Sequence, residues 1–114
     1  MSSIEFTKLF EPKLLTTVAV EIFNVSTPSG KLLRNCVVQI SNTTSSTRLL
    51  NIWAIPDTDS ATVTNAIALN KSIPPYDYIY IDIPELQSGD AVHASIDVNA
   101  NVNIQYASGN LFTP

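Results

Sequence analysis

The stretch "YDYIYIDI", residues 76–83, constrains the fold more than any other part of the chain. Two sets of side chains alternate along it: Tyr76, Tyr78, Tyr80 and Asp82 in one, Asp77, Ile79, Ile81 and Ile83 in the other. A strand sends successive side chains to opposite faces of its sheet, so one face here is aliphatic and the other carries rings. Pro74 and Pro75 lead into it, and its β-branched and aromatic content suits a pleated, half-buried surface.

Similar runs recur along the chain. "TTVAVEIFNV" (16–25) alternates, with Val18, Val20 and Ile22 expected on one face. After the turn "TPSGK" (27–31) come "LLRNCVVQIS" (32–41), the polar loop "NTTSST" (42–47) and "RLLNIWAI" (48–55). "ATVTNAIAL" (61–69) has irregular apolar spacing, as a strand with a break would. Beyond the turn "LQSGD" (86–90), "AVHASIDV" (91–98) presents Val92, Ala94, Ile96 and Val98 on one face. In "NVNIQYASG" (101–109), Val102, Ile104 and Tyr106 share a face. Short strands at this spacing, without a sustained 3.6-residue period, predict an all-β antiparallel sandwich of about 7–8 strands. A jelly-roll or other Greek-key type is favoured over a closed barrel.

Residues 1–13 differ from the rest, which gives a predicted N-terminal arm (1–13) and a sandwich domain (14–114). Phe6, Leu9 and Phe10 have the spacing of one face of a short helix, which Pro12 would end. Such an arm either caps its own sandwich or docks its phenylalanines on a neighbouring subunit.

Burying an isoleucine contributes roughly 1.5–3 kcal/mol, so the Ile79, Ile81 and Ile83 row takes the inside. Tyr76, Tyr78 and Tyr80 then face outward, with three destinations open. They pack on an arm or loop of their own chain, contact neighbouring subunits, or stack on sugar faces while Asp77 or Asp82 bonds hydroxyls. Tyrosine joins a large apolar ring to a polar tip and is enriched at protein contacts, so the interface reading leads.

Composition narrows the function classes. Charged residues make up 14% of the 114-residue chain, against an ordinary value of about 25%. A surface this poor in charge is weakly defended against association, which favours a subunit of an assembly. The formal net charge is −4, and Lys8, Lys13, Lys31, Arg34, Arg48 and Lys71 are scattered, so no nucleic-acid partner is expected. No apolar run approaches the ~20 residues of a membrane span, and "MSSIEFTKLFEPK" lacks the apolar core of a secretory signal. A soluble product made in a cytoplasm is expected, and the Asn24, Asn42 and Asn70 sequons are attributed to composition.

Candidate chemistry is sparse. Cys36, in "CVVQI", is expected to be a buried thiol. His93 is the single histidine and is expected on the solvated face with Ser95 and Asp97, so a serine–histidine hydrolase is disfavoured. Asp57 and Asp59 could offer oxygens to Ca²⁺, but an EF-hand's glycine and closing Glu are missing. Gly30, Gly89 and Gly109 form no phosphate cradle. The expectation is therefore a protein without catalytic residues, metal or cofactor.

The order of motifs carries a resemblance. "VSTPSGK" precedes a strand ending "ISNTT", and "IPP" leads to "YIYIDIPELQSGDAVHASI" and then "VNIQYASGNLF". This is similar to small virion proteins of tailed bacteriophages. The matching residues are Val25, Gly30, Lys31, Ile40, Asn42, Leu86, Gly89, Asp90, Val92, Ala94, Val102, Tyr106, Ser108 and Gly109, within a span of roughly 14–112. Thr27 and the acidic loop "DTDSATVTN" depart from that pattern. The resemblance implies a β-sandwich structural protein of the virion, head cement or decoration before tail or fibre component. With the strand pattern, the low charge, the ring row and the Phe6/Phe10 arm, the leading expectation is a homo-oligomer, trimer or dimer, against the major capsid protein. The alternative is a tail or fibre domain that binds a host-surface glycan through Tyr76, Tyr78 and Tyr80.

Overall fold

The structure, a computed structural model, describes residues 3–5, 8–25 and 30–113. Ten strands follow one another in it: β1 (Ser3–Glu5), β2 (Lys13–Leu14), β3 (Val20–Asn24), β4 (Leu32–Asn42), β5 (Arg48–Ile55), β6 (Ala66–Ile73), β7 (Tyr78–Ile83), β8 (Leu86–Gln87), β9 (Ala91–Ile96) and β10 (Val102–Thr113). A 3₁₀ turn, Val63–Asn65, precedes β6 and is the break foreseen in residues 61–69.

The first sheet has the order β1-β10-β4-β7, with β2 added to β10 and β8 to β4. The second has the order β3-β9-β5-β6. All the pairings are antiparallel. The first strand lies against the last, and the chain crosses between the two sheets as it proceeds. The predicted antiparallel sandwich is therefore present, with two extra two-residue ladders, β2 and β8.

Alternation sets the core. Val38 and Ile40 of β4, Val102 and Ile104 of β10, Leu50 and Ile52 of β5, and Val92 and Ala94 of β9 are fully buried between the sheets. Leu33, Ile73 and Ile96 extend the same layer. Ile83 is buried, while Ile79 and Ile81 are half-buried and pack on this cluster.

Three local expectations are corrected. Val18 precedes β3, and both Val18 and Val20 are exposed, so they do not share a buried face with Ile22. The cause is a bulge between Glu21 and Phe23 that turns Ile22 and Phe23 inward together. Val98 also leaves the core, because β9 ends at Ile96 and a bend follows. Residues 8–14 form no helical turn. Instead, Ser3–Glu5 and Lys13–Leu14 pair with β10 at Leu111–Thr113 and Asn103–Ile104.

Candidate interaction surface

Register decides what the outer face of the first sheet displays. Residues directly opposite each other in an antiparallel pair point to the same side. Tyr78 lies opposite Ser41 and Tyr80 opposite Gln39. Ser41 and Gln39 lie opposite Asn103 and Gln105 on β10, and Asn103 lies opposite Leu14. Two rows thus cross the sheet, Leu14–Asn103–Ser41–Tyr78 and Gln105–Gln39–Tyr80. Neither contains a charge, and the next row brings Asp82 opposite Val37.

The rings stand clear of the protein. Tyr78 is 52% exposed and Tyr80 58%, and their centroids are 5.5 Å apart at an interplanar angle of 78°. Edge-to-face contact at this distance is a favourable aromatic geometry. Tyr76 is also exposed but sits before β7 with φ 54°, so it leaves the alternating row. The row of three rings on one strand is therefore two rings plus a third on the preceding turn.

That turn is held by Asn42, which is 1% exposed. Its Nδ2 donates to the carbonyls of Ser46, Ile73 and Pro74, at 2.8, 3.1 and 3.1 Å. Its Oδ1 accepts from the Thr44 backbone N–H and hydroxyl, at 3.0 and 2.6 Å. Three carbonyls on one side and an N–H on the other determine which way the amide points. The Asn42 N–H donates to the Asp77 carbonyl and the Tyr76 N–H to the Thr44 carbonyl, which starts β7 in register.

The arm residues behave differently from the rings. Phe10 is buried, stacked on Phe23 at 5.3 Å and edge-on to Tyr106 at 5.8 Å. Lys13 Nζ lies 5.9 Å from its ring centroid and donates to the Ile22 carbonyl. Phe10 thus packs within its own sandwich. Leu9 is half-buried against the same core, and Phe6 lies outside the described residues.

A cleft of about 510 Å³ is lined by Arg34, Asn35, Cys36, Asp82, Ile83 and Glu85 among others. It forms where β4 changes partner from β7 to β8, and Asn35 sits there at φ 56°. Arg34 Nε bonds Glu85 Oε1 at 2.6 Å while its guanidinium lies 5.6 Å from the centroid of the Phe112 ring. Cys36 is 1% exposed, and burial pushes its thiol up to about 12, away from the thiolate form a nucleophile needs.

Other candidates are dispersed. His93 is half-buried, opposite Glu21 and Trp53 in the ladders of β9. Ser95 is buried, its Oγ 3.5 Å from Asn51 Nδ2. Asp59 accepts from the Ser60 N–H, and the Asp57 N–H donates to Asp90. Among the described residues no group of three His, Cys, Asp or Glu side chains could hold a metal ion.

The motif residues turn out to be ties and core. The Asp90 carboxylate accepts the Gln87 N–H at 2.9 Å and the Asp57 N–H at 3.0 Å. Its carbonyl accepts the Val25 N–H, and the Val25 carbonyl accepts the Gly89 N–H. Gly89 has φ +92°, a left-handed conformation that suits glycine. "VSTPSGK" and "LQSGD" are thereby joined, with the Lys31 N–H donating to Ser88 Oγ. The uncharged patch around the rings was missed, although the alternation of Val37, Gln39 and Ser41 in "VVQIS" was its signal.

No protein-family model matches the chain, and no curated protein matches it. Solved structures do. The VP2 protein of infectious bursal disease virus, as a D431N mutant in derived T=1 particles, superposes with a TM-score of 0.54 at 11% identity, over 98% of this chain and 32% of that one. The T13 particle of the same virus gives 0.52 at 10% identity, over 97% of this chain and 30% of that one. Identity this low makes the likeness one of fold. The chain spans about a third of the length of those proteins.

Proposed function

We propose that the chain is a non-enzymatic structural subunit of a virus particle that works through contacts between subunits. The observation that carries this reading is the pair of charge-free rows bearing Tyr78 and Tyr80, on a sandwich whose fold resembles part of the VP2 protein of infectious bursal disease virus particles. Large exposed rings among neutral amides lose little on desolvation and gain area when another surface covers them. In finer detail we assign it to the head of a tailed phage, as a cement or decoration subunit. It acts there as a trimer or dimer against the major capsid protein, where weak contacts add through multivalency. The sequence motifs support that assignment, and the location is the virion.

A second reading has its own support. Tyr78 and Tyr80 flanked by Gln39, Ser41 and Asp82 offer ring faces and hydroxyl-bonding groups together, as a glycan platform on a tail or fibre does. Purified particles probed for the chain, with binding of the free chain to a glycan array, separate the two. Cement predicts presence on heads and no glycan retention. A strictly monomeric chain absent from particles contradicts the structural reading.

A further inference from the structure

Strand edges differ sharply in how they are guarded. An exposed edge carries unpaired N–H and C=O groups, and proteins blunt such edges with bulges, Lys, Pro or short strands. On the second sheet, β3 is bulged, and β6 has two register shifts, Asn70 at φ 54° and Lys71. On the first sheet, β1 and β2 are three and two residues long. Strand β7 is six residues long, keeps one register with β4 throughout and contains neither Lys nor Pro. Among the described strands it pairs with β4 on one side and with none on the other.

The Asn42 N–H bonds the Asp77 carbonyl, so odd-numbered residues aim their backbone groups at β4. Tyr78, Tyr80 and Asp82 therefore aim theirs at the open side, where the Tyr78 N–H donates to Oδ1 of the preceding Asp77 in the same chain, a bond that a partner's carbonyl would replace. We propose that this edge pairs antiparallel with the same edge of a second copy, about a two-fold axis at Tyr80. Tyr80 then faces Tyr80, Ile79 faces Ile81, and Tyr78 faces Asp82. This register places all three outward-bonding residues in bonded pairs and sets each carboxylate beside a phenol. Sliding toward Asp82 brings Pro84, which has no N–H, into the ladder, and then the two carboxylates together. Sliding the other way brings in Tyr76, which is off the strand at φ 54°. The contact is isologous, as closed dimers require. It deepens the structural-subunit reading and rests on it.

The test uses the full chain and cysteine variants of the exposed edge. Bonded antiparallel partners have Cα atoms about 5.5 Å apart, within disulfide range. Under mild oxidation, Tyr80→Cys is expected to give a disulfide-linked dimer. Tyr78→Cys alone gives none, but it links when mixed with Asp82→Cys. In sedimentation the unmodified chain runs as a dimer, and Tyr80→Lys, which sets two ammonium groups face to face, weakens the dimer at least ten-fold. A chain that is monomeric at every concentration overturns the pairing, as does Tyr78→Cys linking to itself as readily as Tyr80→Cys. Particles that carry an unlinked Tyr80→Cys chain sink the pairing and leave the virion reading standing. A linked dimer absent from every particle does the reverse.

Discussion

Tyr78 and Tyr80 stand edge to face on the outer side of an edge strand, their centroids 5.5 Å apart, while Ile79 between them turns to the core. The strand gives its aliphatic face to the fold and keeps its aromatic face for something else. More than half of each ring's residue surface is open to solvent, so truncation removes little packing within the chain. Tyr78→Ala with Tyr80→Ala is predicted to change unfolding free energy by about 0.5 kcal/mol per site or less, the ordinary surface effect. Denaturant unfolding of the monomeric fraction checks it. A loss of several kcal/mol would mean the rings support the fold itself.

Asn42 is the opposite case, a polar side chain sealed inside a loop. Asn42→Ala takes the amide donor from the Ile73 and Pro74 carbonyls, while the Ser46 carbonyl keeps the Thr44 hydroxyl, and an unsatisfied buried group costs about 1–3 kcal/mol. Asn42→Asp is predicted to be worse, because it aims a carboxylate oxygen at the same three carbonyls. Unfolding midpoints that rank wild type, Ala, then Asp confirm this. Asp equal to wild type would contradict it.

Gly109 leaves room for the Tyr106 phenol, whose oxygen lies within clashing distance of where a β-carbon would stand. The ring cannot easily move aside, being edge-on to Phe10 at 5.8 Å and Phe23 at 6.3 Å. Gly109→Ala is predicted to cost about 1–3 kcal/mol by overpacking. Adding Tyr106→Phe removes the oxygen and should recover part of that loss. A purely additive double variant would place the cost elsewhere.

Burial pushes both the Cys36 thiol and the Tyr106 phenol up to about 12, Cys36 adding to the effect on Tyr106. Both are neutral in the fold, while in the unfolded chain they titrate at their ordinary values of 9.0 and 10.0. The unfolded state therefore sheds protons first as pH rises. Stability is full below pH 9 and falls as pH climbs toward 12. Unfolding free energy measured across this range checks the sign, and Cys36→Ala should flatten the early part of the fall.

Strands whose two faces differ were legible in the sequence. The alternation ending at Ile83 needed only period-two patterning to find, while Arg48–Ile55 was marked out by the polar loop before it and Pro56 after it. Val18, Val20 and Val98 were misplaced because a bulge and a strand end break that period, and neither has a local signature. Phe10 showed helical spacing yet is placed by Phe23 and Tyr106, partners distant in sequence. Of the site, the rings were visible. The neutral rows beside them depend on which strands pair, and Asn42 revealed its role only once Ile73 and Pro74 came within its reach.

The most direct measurement is a tyrosine-modification map, by nitration and mass spectrometry, of the free chain and of particles that carry it. The account predicts that Tyr78 and Tyr80 react readily in the free chain and are protected in the particle, while Tyr106 is protected in both. Tyr78 and Tyr80 shielded already in the monomer, or equally reactive in both states, would contradict it.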